Sequence, residues 1–283
     1  FWMTERITPS GLNRHFNSAT REELLGFYGY LCSDRFPKMG KVQRTDDEKV
    51  AIASNYLSEA EGGWDFNPRF GGVCEEYNPV DLNANLYIYE RNFAWFCREL
   101  GQNGAKNWEK KAKTRRNLIQ KLCFEPSAGL FYDYDYVTGR RSGIFSSAVF
   151  NLLWAGIPTT EQAASLVENL DRLECAHGIA ACEDGERDAV YQWDWPNAWA
   201  SFNTLAVIGL DKYGYVADAA RIAEKYLDSV SAICGRTGQL WEKYNAVTGD
   251  IDVKDEYAMP GDFMGWTAGA YLLCYDYLRA CAK

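Results

Sequence analysis

The chain is 283 residues long, 47% hydrophobic and 15% aromatic, enough to bury one large core. Its formal net charge of −9 at pH 7 argues against nucleic acid or an anionic membrane surface as a partner. No apolar run reaches the length of a membrane span, and no signal-peptide pattern is present.

From about residue 20, apolar segments of two kinds alternate. Asp81–Leu100 carries Leu82, Leu86, Tyr89, Phe93, Phe96 and Leu100 at helical spacing, with more apolar residues between them. Lys106–Leu122 has a narrower stripe (Trp108, Ala112, Ile119, Leu122) opposite a Lys/Arg face. The alternation recurs in Ser146–Gly156 and Thr159–Leu173, then in Ala198–Leu210 and Tyr215–Val230, and ends in the apolar Phe263–Cys281. Helices buried all round, alternating with helices buried on one face, predict an inner ring wrapped by an outer one. The reading is an all-α chain forming one domain over 1–283, an α/α toroid of alternating inner and outer helices with short β-arms in its loops. About nine helices are expected, fewer than six pairs require, so the ring lacks N-terminal helices or is smaller or open. The nine cysteines show no CxxC and no regular framework. They read as reduced, buried thiols and lean to a cytoplasmic location.

Links from each outer helix to the next inner one are long, and those within a pair are short. Long links in a compact domain usually carry function. Gly129–Gly139 (GLFYDYDYVTG) repeats as Gly238–Gly249 (GQLWEKYNAVTG) apart from one inserted residue, each a short β-arm closed at Thr-Gly. Asp133 of the first copy corresponds to Glu242 of the second.

Six of the ten tryptophans fall in Glu61–Phe70 (EGGWDFNPRF), Tyr191–Trp199 (YQWDWPNAW), Leu240–Asn245 (LWEKYN) and Glu256–Thr267 (EYAMPGDFMGWT). Pro196 fits the first turn of a helix, with Asp194 near enough to cap it. Indole faces beside amides and carboxylates suit a sugar ring; the alternative is a tryptophan-rich corner of the core. Glycoside hydrolysis needs one protonated and one ionised carboxyl flanking the scissile bond. Asp65, between Trp64 and Phe66, is expected to have a raised pKa and to suit the acid role. Glu242, with Trp241 and Lys243 pointing away in an extended arm, is expected to face the cleft alone. Candidate substrate contacts are Trp64, Arg69, Gln192, Trp193, Asp194, Asn197, Glu256 and Trp266. With only His15 and His177, a histidine-based metal site is not expected.

GGWDFNPRF resembles the SGWDFSSRW-type segment of the trehalases (glycoside hydrolase family 37), and QWDWPNAWA resembles their QWDYPNGWAP signature. WEKYN, VDLNAN at 80–85 and EYAMPGDFMGWTAGAYL are similar to further segments of that family, in the same order. The resemblance implies an (α/α)6 barrel that hydrolyses trehalose or a related small α-glucoside with inversion and without a cofactor. By position it implies Asp65 as general acid and Glu242 as general base. It places Gln192, Trp193 and Glu256 in the sugar subsites, with Trp64 and Trp266 nearby. The family's arginine-bearing segments have no clear counterpart; the one preceding the acid would fall near Thr8–Phe16 and matches poorly. A related toroidal glycosidase acting on another glucoside, or a degenerate sugar-binding paralogue, are the alternatives.

Overall fold

A computed structural model describes residues 1–253 and 264–282. Among them are nine α-helices: α1 Arg21–Tyr30, α2 Asp46–Glu61, α3 Val80–Glu99, α4 Ala105–Leu122, α5 Val149–Ala155, α6 Thr160–Glu168, α7 Ala200–Lys212, α8 Val216–Thr237 and α9 Gly265–Cys281. Three of them start at capping boxes: Thr20 with Glu23, Thr45 with Glu48, and Thr159 with Gln162. In each box the hydroxyl and the N3 side chain satisfy backbone N–H groups that the first turn leaves unpaired. None of these helices is long and apolar enough to cross a membrane.

The alternation in the sequence appears as packing. Helices α3, α5, α7 and α9 form a row in which each touches the next, while α4 backs α3 and α8 backs α7 and α9. Their shared core includes Leu152, Leu153, Phe202, Val207, Ile222 and Tyr226. Among the described residues no extensive contact joins α3 to α9. The C-terminal half of α3 departs from the expected all-round burial. Leu82 and Leu86 are buried, but Tyr89, Phe93, Phe96 and Leu100 are exposed, although Phe93 still stacks on Trp108 of α4.

Nine short strands lie in the links: β1 Tyr77–Asn78, β2 Phe124–Glu125, β3 Leu130–Phe131, β4 Tyr134–Asp135, β5 Arg140–Arg141, β6 Glu174–Cys175, β7 Gly178–Ile179, β8 Asn197–Trp199 and β9 Lys243–Asn245. Strands β2–β3, β4–β5 and β6–β7 are small hairpins within the arms; the remaining pairings repeat one device, in which the lead-in to an inner helix pairs antiparallel with the arm that follows its outer partner. Thus β1, before α3, pairs with β4, after α4, and β8, before α7, pairs with β9, after α8. Ser146, before α5, bridges to Cys182, after α6. The long links therefore gather at the end of the row where the inner helices begin.

The sequence repeat is also a structural one. Asp135 and Asn245 each accept the backbone N–H groups two and three residues on with Oδ1. Gly139 and Gly249 then close the turns at φ +72° and +73°, a region where glycine avoids the Cβ penalty.

Candidate active site

Helix α2 ends at Glu61, where the backbone turns into the loop that carries Asp65. Three groups tether that end: Arg6 and His15 bond the Glu61 carboxylate at 2.9 and 3.3 Å, and the Phe16 amide donates to it at 2.9 Å. Burial would raise the Glu61 pKa, but these partners hold it down to about 2. The loop then makes a left-handed step at Phe66, whose φ of +60° is the one positive value at a non-glycine position among the described residues. A non-glycine side chain there costs free energy that its surroundings must offset.

Arg69 rivets the far side of the loop. Its side chain is 1% exposed and bonds both Asp81, in the first turn of α3, and Asp133, on the first arm. Its guanidinium also lies 4.2 Å from the Trp64 ring centroid. Burial tends to raise the Asp81 pKa, but the Arg69 charge outweighs it and the pKa is lowered. Asp133 also accepts the Val80 amide that opens α3. The sequence sets Arg69 against the substrate; in the structure it is a structural hub, because two buried carboxylates occupy its guanidinium donors.

Asp65 stays partly exposed at the rim. Its Oδ2 accepts the Gln192 side-chain amide at 3.0 Å, and Gln192 Oε1 accepts an Arg35 N–H at 2.8 Å. The Arg35 guanidinium lies 4.0 Å from the Phe66 ring centroid. Burial raises the Asp65 pKa, and its own backbone amide, the Arg35 charge, Trp193 and Gln192 offset that only in part. This agrees with the pKa shift read from the flanking Trp64 and Phe66. Arg35, at the end of the 31–35 helical turn, thus brings a guanidinium to Asp65 through Gln192, from a stretch that the sequence pattern did not single out; Thr8–Phe16 supplies none there.

A wall of indoles runs from Asp65 to the second arm. Trp64 and Trp193 have ring centroids 5.4 Å apart, and Trp193 stacks on Trp199 at 3.8 Å and 4°. Trp266 meets both Trp193 and Trp199 edge-on. Trp199 is the register partner of Lys243, whose Nζ lies 4.4 Å from its ring centroid. The same Nζ donates to Glu242 Oε2 at 2.9 Å, with the Glu242 side chain 18% exposed and Lys243 fully buried. Glu242 thus does not face the cleft alone. Strand β9 begins one residue later, so the alternation of an extended arm does not reach Glu242, and Lys243 folds back onto it.

The other candidates divide. Trp64, Gln192, Trp193 and Trp266 converge on this wall. Asp194 is buried against Arg187, bonded at 2.9 and 3.2 Å, so its carboxylate is already paired within the protein. Asn197 is fully buried and donates to the Gln192 carbonyl at 2.9 Å, which fixes the loop and leaves no surface for a sugar. Nor do Pro196 and Asp194 open a helix: the Trp195–Pro196 peptide is cis, Asn197–Trp199 is a strand, and α7 starts at Ala200. Glu256 lies outside the described residues.

The trehalase family profile matches residues 34–279. The chain belongs to the trehalase family. It is 33% identical over 252 residues to a cytosolic neutral trehalase of Saccharomyces cerevisiae, covering 79% of this chain and 34% of that protein. It is 32% identical over 251 residues to a probable trehalase of Eremothecium gossypii, with the same coverage of each. The chain thus spans about a third of the length of these relatives. Among solved structures, the neutral trehalase of Saccharomyces cerevisiae superposes with a TM-score of 0.77 at 28% identity, over 98% of this chain and 56% of that one. A mannosylglycerate hydrolase from Thermus thermophilus, solved with glucose, shares the fold with a TM-score of 0.58 at 21% identity, over 83% and 53% of the two chains. In this member of the trehalase family, the segments around Asp65, Gln192 and Glu242 all lie inside the matched region.

Proposed function

We propose that the indole-walled site hydrolyses trehalose or a related small α-glucoside with inversion at the anomeric carbon, within an (α/α)6-type toroid. The observation that carries this is the run of ring contacts Trp64–Trp193–Trp199, which has Asp65 at one end and the Lys243–Glu242 pair at the other. Asp65, whose protonated form burial favours, gives its proton to the glycosidic oxygen as the C–O bond breaks. Glu242, bonded to the Lys243 ammonium at 2.9 Å, takes a proton from the water that attacks the opposite face of the sugar. Product release and proton exchange with solvent reset both groups. An inverting pair should stand roughly 6.5–9.5 Å apart, leaving room for the water.

Proton NMR of a fresh trehalose digest tests this. The expected result is one equivalent each of α- and β-glucose before mutarotation, and two of the α-anomer would show retention instead. A second reading, sugar binding without turnover, draws on the ammonium already seated on Glu242. It predicts unchanged glucoside binding in Asp65→Asn and no product from the parent chain. A panel of α-glucosides, glucosylglycerate included, separates trehalose from its analogues.

A further inference from the structure

Beneath the Asp65 loop lies a carboxyl group that the proposed chemistry does not use. Glu59, in the last turn of α2, is 1% exposed. Its Oε2 accepts the Asn67 amide at 3.2 Å, with the Phe66 amide beside it, and its Oε1 has no hydrogen-bond partner among the described residues. The two amides follow Asp65 directly and belong to the left-handed step at Phe66. A positive φ at a phenylalanine persists only where the surroundings over-determine it. Part of that restraint comes from the packing of Phe66 against Phe36, Tyr56 and the Arg35 guanidinium and from the Trp193 amide on the Phe66 carbonyl; Glu59 holds the amide side of the turn.

We propose that Glu59 is a positioning residue for the acid: its buried carboxyl clamps the turn at Phe66–Asn67 and so fixes the direction in which Asp65 points. Burial drives the Glu59 pKa well above the usual carboxylate range, against the pull of the Asn67 and Phe66 amides, and Asp65 adds to the rise. The titratable and charged groups that face it are Asp65, Arg69, Cys74 and Tyr191. Of these only Arg69 favours a charged Glu59, and its own donors are taken by Asp81 and Asp133. Burial and the Asp65 charge thus both favour the uncharged form of the clamp. That matters for the acid, since an anion at Glu59 would also hold Asp65 protonated and would confuse position with charge.

The inference rests on the reading of Asp65 as the acid, and its test includes an arm that needs no turnover. The indole N–H resonance of Trp193, next to Asp65, is followed through a pH titration in the parent, Glu59→Gln, Glu59→Asp and Glu59→Leu chains. Asp65→Asn identifies the transition that belongs to Asp65. Glu59→Gln keeps a neutral acceptor and should leave the Asp65 midpoint in place. Glu59→Asp pulls the acceptor back, Glu59→Leu removes it, and both should drop the midpoint toward the ordinary carboxyl value as the loop admits water. On trehalose, Gln should stay close to the parent. Asp and Leu should lose kcat by about a hundredfold with KM little changed, as a small misplacement of a reacting group does. A fall in the midpoint with Gln would mean that Glu59 acts through charge and would overturn the proposal. So would a folded Asp or Leu variant with an unmoved midpoint. If Leu does not fold, Asp supplies the same comparison. A parent that turns over no glucoside would sink the proposed function and still leave the titration to decide the clamp.

Discussion

At Asp65 stability and chemistry pull in opposite directions. Burial favours its protonated form, so its folded pKa lies above the unfolded one. Any stability it contributes is present below the unfolded pKa and is lost as pH rises through the folded value. Asp65→Asn should therefore melt higher than the parent at pH 7, and the gain should vanish below the ordinary carboxyl range. Turnover should fall by about 10²–10⁴ with the proton donor gone. Melting curves at two pH values beside kcat check both halves. Arg69 gives the opposite case. Arg69→Met would strand Asp81 and Asp133 as buried anions, and breaking such a pair costs about 3–5 kcal/mol, read by urea unfolding at pH 7. The Asp81 share of that loss should shrink in acid, because its lowered pKa makes its contribution one that disappears as pH falls. The direction of the shift at Asp65 was legible because its two sequence neighbours are aromatic residues that the fold buries. The partners of Arg69, Asp194 and Glu242 were not. Each is settled by a side chain arriving from another segment, or in the case of Lys243 by a strand that starts one residue later than the pattern suggested.

Among the elements, the repeated arms show what a local pattern can and cannot report. The Asp/Asn-x-x-Thr-Gly turn was readable because its hydrogen bonds run from a residue to its own near neighbours. The equivalence of Asp133 and Glu242 was readable too, but their fates differ: the first is buried with Arg69, the second stands at the rim with Lys243. The segment given as Thr159–Leu173 starts where the structure starts α6, at the Thr159–Gln162 capping box, while α1 and α2, which also open on such boxes, received no bounds from the sequence. The start of α7 was misplaced, because Pro196 suits a first turn as well as it suits the cis link before β8. The two turn glycines make a prediction at this scale. A Cβ at Gly139 would meet only the Tyr134 hydroxyl at 3.8 Å, whereas one at Gly249 would lie 2.6 Å from His177 Nδ1. Both alanine variants carry a left-handed penalty of about 1–2 kcal/mol. Gly249→Ala should cost more than Gly139→Ala in chemical denaturation, and it alone should lower kcat, since its arm carries Glu242.

Over the whole molecule, the two-layer alternation was legible because burial on one face or on all faces is written into hydrophobic periodicity. The extent of the row was not, since periodicity says that a face is apolar without saying what covers it. Tyr89, Phe93, Phe96 and Leu100 lie four, three and four residues apart, on one face of α3, and all four are exposed. Phe93 leans on Trp108 and Phe96 on Trp95, leaving a continuous aromatic surface at the end of the row. Contiguous apolar surface of this kind on an isolated chain drives association. Sedimentation velocity should therefore show a concentration-dependent shift to larger species. Phe96→Lys with Leu100→Lys should restore a monomer, because both residues are exposed and two ammonium groups on that face repel their counterparts. The Trp193 indole titration should be the same in the parent and the double variant, as the stripe lies on the half of α3 away from Asp81 and the acid loop. A parent chain that remains monomeric across the concentration range would mean that the stripe tolerates water, and the aromatic face would then carry no weight as a contact surface.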